Sequence, residues 1–106
     1  PIVVLQNNES ASASELLSAA LKEEYGATII GENSFGKGTV QELVTLPDGT
    51  QYKITTKKWL TPTGNWINGT GVTADIVEKL NDRYNETPIE ANDNQLQRAI
   101  EYLKQK

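Results

Sequence analysis

The feature that most narrows the fold lies in the first 31 residues. Ile2-Val3-Val4-Leu5 is a short, β-branched, wholly apolar run of the kind a parallel sheet buries. From Ser14 to Tyr25, Leu16, Leu17, Ala20 and Leu21 fall at helical spacing, Lys22, Glu23 and Glu24 are polar, and Gly26 stands where a left-handed C-cap belongs. Ala27-Thr28-Ile29-Ile30 is a second buried run, closed by Gly31. Strand, amphipathic helix and strand, joined by a crossover of this length, specify parallel pairing and an α/β architecture.

Downstream the pattern changes. Thr39 to Leu46 and Thr50 to Lys58 flank Pro47-Asp48-Gly49, a turn in which Pro presets φ and Gly tolerates positive φ, so a β-hairpin is predicted. In its second arm Tyr52, Ile54 and Thr56 alternate with Lys53, Thr55 and Lys57, the signature of a strand with one face near water. Trp59 to Asp75, with Pro62, Gly64, Gly69 and Gly71, is predicted to be mostly irregular before a short run through Ile76 and Val77. Residues 80 to 92 are polar, contain Pro88 and read as a helix-poor surface connector. Leu96, Ala99, Ile100 and Leu103 then mark a closing amphipathic helix capped by Asp93 or Asn94. At 106 residues and 37% apolar, the chain fills one modest core, so it is one domain or part of one.

Composition removes several function classes. Ten Lys and Arg against 14 Asp and Glu give a formal charge of −4, with no cationic cluster, which argues against a nucleic-acid partner. The chain has no Cys and no His, so it can build no disulfide, no thiolate or imidazole metal site, no thiol nucleophile and no Ser-His-Asp triad. No metal or organic cofactor is expected. Its apolar runs fall far short of the roughly 20 residues of a spanning helix. The abrupt opening on a core strand carries the expectation that earlier segments, with any targeting or membrane-contacting element, lie outside residues 1–106.

Two segments hold chemistry, both just past the C-terminal ends of predicted parallel strands, where open α/β sheets place their sites. In Glu9-Ser10-Ala11-Ser12-Ala13-Ser14-Glu15, a hydroxyl at a helix N-terminus lies among free amide donors and the positive end of the dipole, which favours negative charge developing on a nearby oxygen. The competing reading is that Ser12-x-x-Glu15 is a capping box whose side chains only satisfy backbone amides. In Phe35-Gly36-Lys37-Gly38-Thr39-Val40-Gln41, a lysine between two glycines is either a usable base, once drawn into a dry pocket, or a solvated loop cation. Gly31 to Lys37 also has the glycine and lysine spacing of a phosphate-binding loop. However, Gly38 replaces the required Ser or Thr, and a strand-like run rather than a helix follows, so nucleotide binding is kept only as a second alternative.

Taken in series, these segments resemble the carboxyl-terminal processing, or tail-specific, proteases, serine peptidases with a Ser-Lys dyad on a Clp protease/crotonase-like α/β core. Val3-Val4-Leu5, Ser10 to Glu15, Gly31-Glu32, Phe35 to Gln41, Ile54-Thr55-Thr56, Thr61-Pro62-Thr63-Gly64, Gly69 with Gly71-Val72, Asp75-Ile76 and Gln95-Leu96 with Ala99 follow the family pattern in order. The resemblance implies that residues 1–106 are the C-terminal portion of a peptidase core whose PDZ domain and N-terminal part precede it. It implies Ser12 as nucleophile, Lys37 as general base, and Gln41 as the hydrogen-bonding partner that holds the lysine. Residues 37 and 41, four apart in a predicted strand, are expected on one face. The Ala13 backbone N–H is the candidate for one oxyanion donor.

The same resemblance implies protein or peptide substrates with accessible C-termini, an extracytoplasmic location in the bacterial envelope, and the option of self-association. Glu9 stands where many relatives have Gly, and Ala74 where Pro is usual before Asp75. The alternative from a different class is a non-catalytic binding or scaffold module of this fold, in which Ser12 only caps a helix and Lys37 only faces solvent. Trp59 and Trp66 are read as packing residues, with lining of a substrate groove as the other use.

Overall fold

A computed structural model describes residues 1–106. Strands β1 (Val3–Gln6) and β2 (Thr28–Gly31) flank helix α1 (Ala13–Tyr25), and the hairpin strands are β3 (Thr39–Thr45) and β4 (Gln51–Lys58). Strand β5 (Ile76–Val77) is followed by the short helix α2 (Asp82–Glu86), a 3₁₀ turn at Glu90–Asn92, and helix α3 (Asn94–Lys104). The predicted crossover forms: β1 pairs in parallel with β2, Val3 opposite Thr28 through Gln6 opposite Gly31. Strand β5 adds in parallel on the far edge, giving the order β1-β2-β5.

Both faces of β2 are covered. Successive strand residues point to opposite sides, and Ile29 and Ile30 are both fully buried. Ile29 joins Ala19 of α1 with Ile67, Val72 and Ala74, and Val4 packs against this cluster. Thr28 lies on the Ile30 face, and its hydroxyl donates to the Tyr102 hydroxyl of α3 at 2.8 Å, which fixes α3 on the side opposite α1. Caps end the helices as their residues dictate. Gly26 is left-handed at φ 66° and bonds back to Lys22 and Leu21, while the Asp93 carboxylate accepts the Leu96 N–H at 2.9 Å.

Three expectations are corrected. The buried face of α1 is Glu15, Ser18 and Ala19, not the leucine stripe, and Leu17 is exposed. Small side chains at 18 and 19 let the helix approach β2, and an acid rather than an apolar residue leads the face. The connector over residues 80 to 92 contains helical turns, started by the Asn81 side chain accepting from the Tyr84 N–H at 3.3 Å. The hairpin is exposed on both faces: no residue of β4 is even partly buried. It stands off the core as a separate two-stranded sheet in a body measuring 58 × 36 × 17 Å.

Candidate active site

Ser12 occupies the turn into α1 at φ 55°, ψ −119°, and is the single non-glycine residue with positive φ. A non-glycine residue held there costs about 1 to 3 kcal/mol, and such strain concentrates where a side chain must be aimed. Both halves of the capping box are in place, the Ser12 N–H donating to Glu15 Oε2 at 2.9 Å and the Ser12 side chain facing the Glu15 N–H, but the hydroxyl closes no full cap hydrogen bond. Ser12 is thus partly buried at the helix N-terminus, with its hydroxyl held only loosely by the cap. The neighbouring Ala13 N–H has no partner within the chain, as an oxyanion donor requires.

Glu15 organises the site. Its side chain is completely buried, and its two oxygens receive four donors. Oε2 accepts from the Ser12 N–H and the Lys37 N–H, each at 2.9 Å, and Oε1 accepts from the Ser34 hydroxyl at 2.6 Å and from the Gly36 N–H. Burial alone pushes this carboxyl up, but the bonds from Ser34, Gly36, Lys37 and Ser12 outweigh it and hold it below the ordinary glutamate value. The sequence motif disclosed only the bond to Ser12. The partnership with Ser34, Gly36 and Lys37 spans about 20 residues and had no local signal beyond an acid on the inner face of a helix.

The loop carrying Lys37 is fixed by its backbone. The Gly36 carbonyl accepts from the Gly69 N–H at 2.7 Å, and the Gly38 N–H donates to Asn68 Oδ1 at 3.2 Å. The Gly38 carbonyl takes two donors, the Trp59 N–H and Trp66 Nε1, each at 2.8 Å. A Cβ on Gly38 would fall 2.7 Å from the Asn68 nitrogen and 2.9 Å from Trp66 Nε1, so only glycine fits this approach. Ser34 ties the loop inward by accepting the Val72 N–H at 2.7 Å. Trp66 is therefore a loop anchor more than a core filler, and the Lys58 ammonium lies 4.4 Å from its ring centroid.

The backbones of Ser12 and Lys37 are brought together through one carboxylate oxygen, but their side chains are not hydrogen-bonded to each other, and the Lys37 side chain is exposed. Gln41 is exposed too and makes no side-chain bond to Lys37; it pairs with Thr55 across the hairpin. The same-face argument for residues 37 and 41 does not apply, because Lys37 precedes β3, which begins at Thr39; the irregularity beside Val40 and Gln41 leaves its extra residue, Thr56, on β4. After Lys37 the chain runs into a strand, so the phosphate-loop spacing has no helix dipole behind it.

Residues 1–78 match the model of Peptidase family S41, and the chain belongs to that family. It is 46% identical over 90 residues to the carboxy-terminal processing protease CtpB of Bacillus subtilis, covering 85% of this chain and 19% of that protein. It is 41% identical over 102 residues to a carboxy-terminal-processing protease of Bartonella bacilliformis, covering 94% and 24%. The solved photosystem II D1 C-terminal processing protease superposes with a TM-score of 0.71 at 44% identity over 74% of this chain and 20% of that one. The α/β fold is thus the fold of these proteases. The chain spans about a fifth to a quarter of the length of these relatives.

Proposed function

We propose that residues 1–106 form the C-terminal portion of a serine peptidase core that cleaves proteins near their C-termini, with Ser12 as nucleophile and Lys37 as general base. The observation that carries this reading is the Ser12 turn: a strained backbone, a hydroxyl that closes no full cap hydrogen bond, and a free amide at Ala13 beside it. In the proposed cycle the neutral Lys37 amine takes the Ser12 hydroxyl proton as Oγ bonds to the substrate carbonyl carbon, and the Ala13 N–H receives the oxyanion. The C–N bond then breaks, with the leaving amine taking a proton from Lys37. Water, deprotonated by the same amine, cleaves the ester and regenerates Ser12. Gln41 is assigned to hold the lysine once the site is closed.

Lys37 faces solvent over residues 1–106, so the desolvation that makes it a base has to come from further segments of the longer protein or from substrate. The relatives' names refer to C-terminal processing, which supports protein substrates with accessible C-termini, and their bacterial and chloroplast sources fit an extracytoplasmic location. No helix here is long and apolar enough to cross a membrane. The exposed Lys37 and its missing bond to Ser12 favour a second reading, a non-catalytic module. Labelling of the full-length protein with a fluorophosphonate separates the two. Ser12→Ala and Lys37→Ala are expected to abolish labelling and peptide cleavage, and Gln41→Ala to reduce both. Cleavage unchanged in the first two variants eliminates the peptidase reading.

A further inference from the structure

We propose that Glu15 is the positioning residue of the dyad, a fixed anion that sets the backbone separation of nucleophile and base; this rests on the assignment of Ser12 and Lys37 above. The two residues come from different elements, the start of α1 and the loop after β2, and no backbone hydrogen bond joins Ser12 to Lys37. A backbone bond from the Phe35 N–H to the Ser10 carbonyl at 2.8 Å ties the two segments, but Ser12 and Lys37 themselves meet at one atom. Oε2 of Glu15 accepts both N–H groups at 2.9 Å, so any displacement of that oxygen moves both residues. Oε1 anchors the same carboxylate to Ser34 and Gly36, which fixes the loop on either side of Phe35.

The donor set demands a carboxylate. Three of the four partners are backbone N–H groups, which can only donate, and the fourth is the Ser34 hydroxyl, whose oxygen already accepts from the Val72 N–H. A neutral amide or protonated acid at position 15 would turn an N–H or an O–H, respectively, toward these donors and leave a buried group unpaired. A shorter acid keeps the charge but gives up part of the reach. No charged side chain is among the partners, so the anion is balanced by dipoles alone, including the N-terminus of its own helix. A salt bridge could swing with its long side chain; a cluster of backbone amides cannot, and this rigidity is what a preorganised dyad needs.

The test uses the full-length protein. Glu15→Gln, which keeps the shape, is expected to lower kcat and the fluorophosphonate labelling rate per folded molecule about 100-fold with little change in KM, the size expected of roughly 1 Å of misplacement. Glu15→Asp should lie between Glu15→Gln and the parent. A purely structural role predicts a lower melting temperature with a labelling rate per folded molecule within twofold of the parent, and that result overturns the proposal. If Ser12→Ala abolishes labelling while Glu15→Gln does not reduce it, the positioning role alone fails. If Ser12→Ala still labels, the peptidase assignment fails first.

Should neither Glu15 variant fold, the unmutated protein with ¹⁵N-serine and ¹⁵N-lysine decides. The Ser12 and Lys37 amide signals are expected to move together on acidification, with one shared midpoint below the ordinary glutamate value of 4.5. A Lys37 amide that ignores this titration overturns the shared bridge.

Discussion

The loop from Gly31 to Gly38 and the hairpin from Thr39 to Lys58 are consecutive in the chain and opposite in construction. The loop has no regular structure beyond its first residue, yet its polar groups are tied to distant partners: Glu15, Asn68, Gly69 and Val72. The hairpin is regular but for one bulge, yet its strands pair only with each other and no residue in it is buried. Regular hydrogen bonding and rigidity are therefore separate properties here. The part that carries Lys37 owes its placement to buried, long-range polar bonds, and the strands after it owe theirs to local pairing that solvent can compete with.

If that contrast is right, the largest loss of stability comes from the sheet beneath the loop. Ile29 is fully buried among Ala19, Ile67, Val72 and Ala74, and Ile29→Ala is expected to cost about 2 to 5 kcal/mol by denaturant midpoint. A cost under about 1 kcal/mol would mean that the cluster collapses around the cavity and that the base of the loop is soft.

The next effect falls on the loop itself. Gly38→Ala drives a methyl group against the Asn68 nitrogen and the Trp66 indole nitrogen, an overpacking expected to cost about 1 to 3 kcal/mol. Because Gly38 adjoins Lys37, the labelling rate at Ser12 should fall as well. Loss of stability with labelling untouched would show that the loop yields without moving the lysine.

The same contrast explains what could be read from the sequence. The crossover was legible because its signals are local: apolar runs at Val3 and Ile29, helical spacing, and a glycine C-cap at Gly26. The Ser12 and Lys37 segments were legible as motifs. Glu15 was not legible as a hub, since nothing at position 15 reveals that Ser34, Gly36 and Lys37 will converge on it. Nor was the exposure of the hairpin. Alternation at Tyr52, Ile54 and Thr56 predicts one covered face, but alternation says nothing about whether a partner element exists within residues 1–106. The leucine stripe of α1 misled for the same reason: apolar spacing identifies a helix reliably but not which of its faces meets the sheet.

The smallest expected effect tests the hairpin half of the contrast. Ile54 is 46% exposed, and across the hairpin it faces Glu42. Tyr52 and Ile54 lie on one side of β4, so the apolar surface there is a short ladder with no third layer over it. Removing an exposed side chain of this kind changes stability by about 0.5 kcal/mol or less, so Ile54→Ala should shift the denaturant midpoint of the full-length protein hardly at all. A cost above about 1.5 kcal/mol would require that this face is packed in the intact protein, because solvent-facing truncation has no mechanism for so large a loss. The hairpin would then be held from outside as firmly as the loop is held from within.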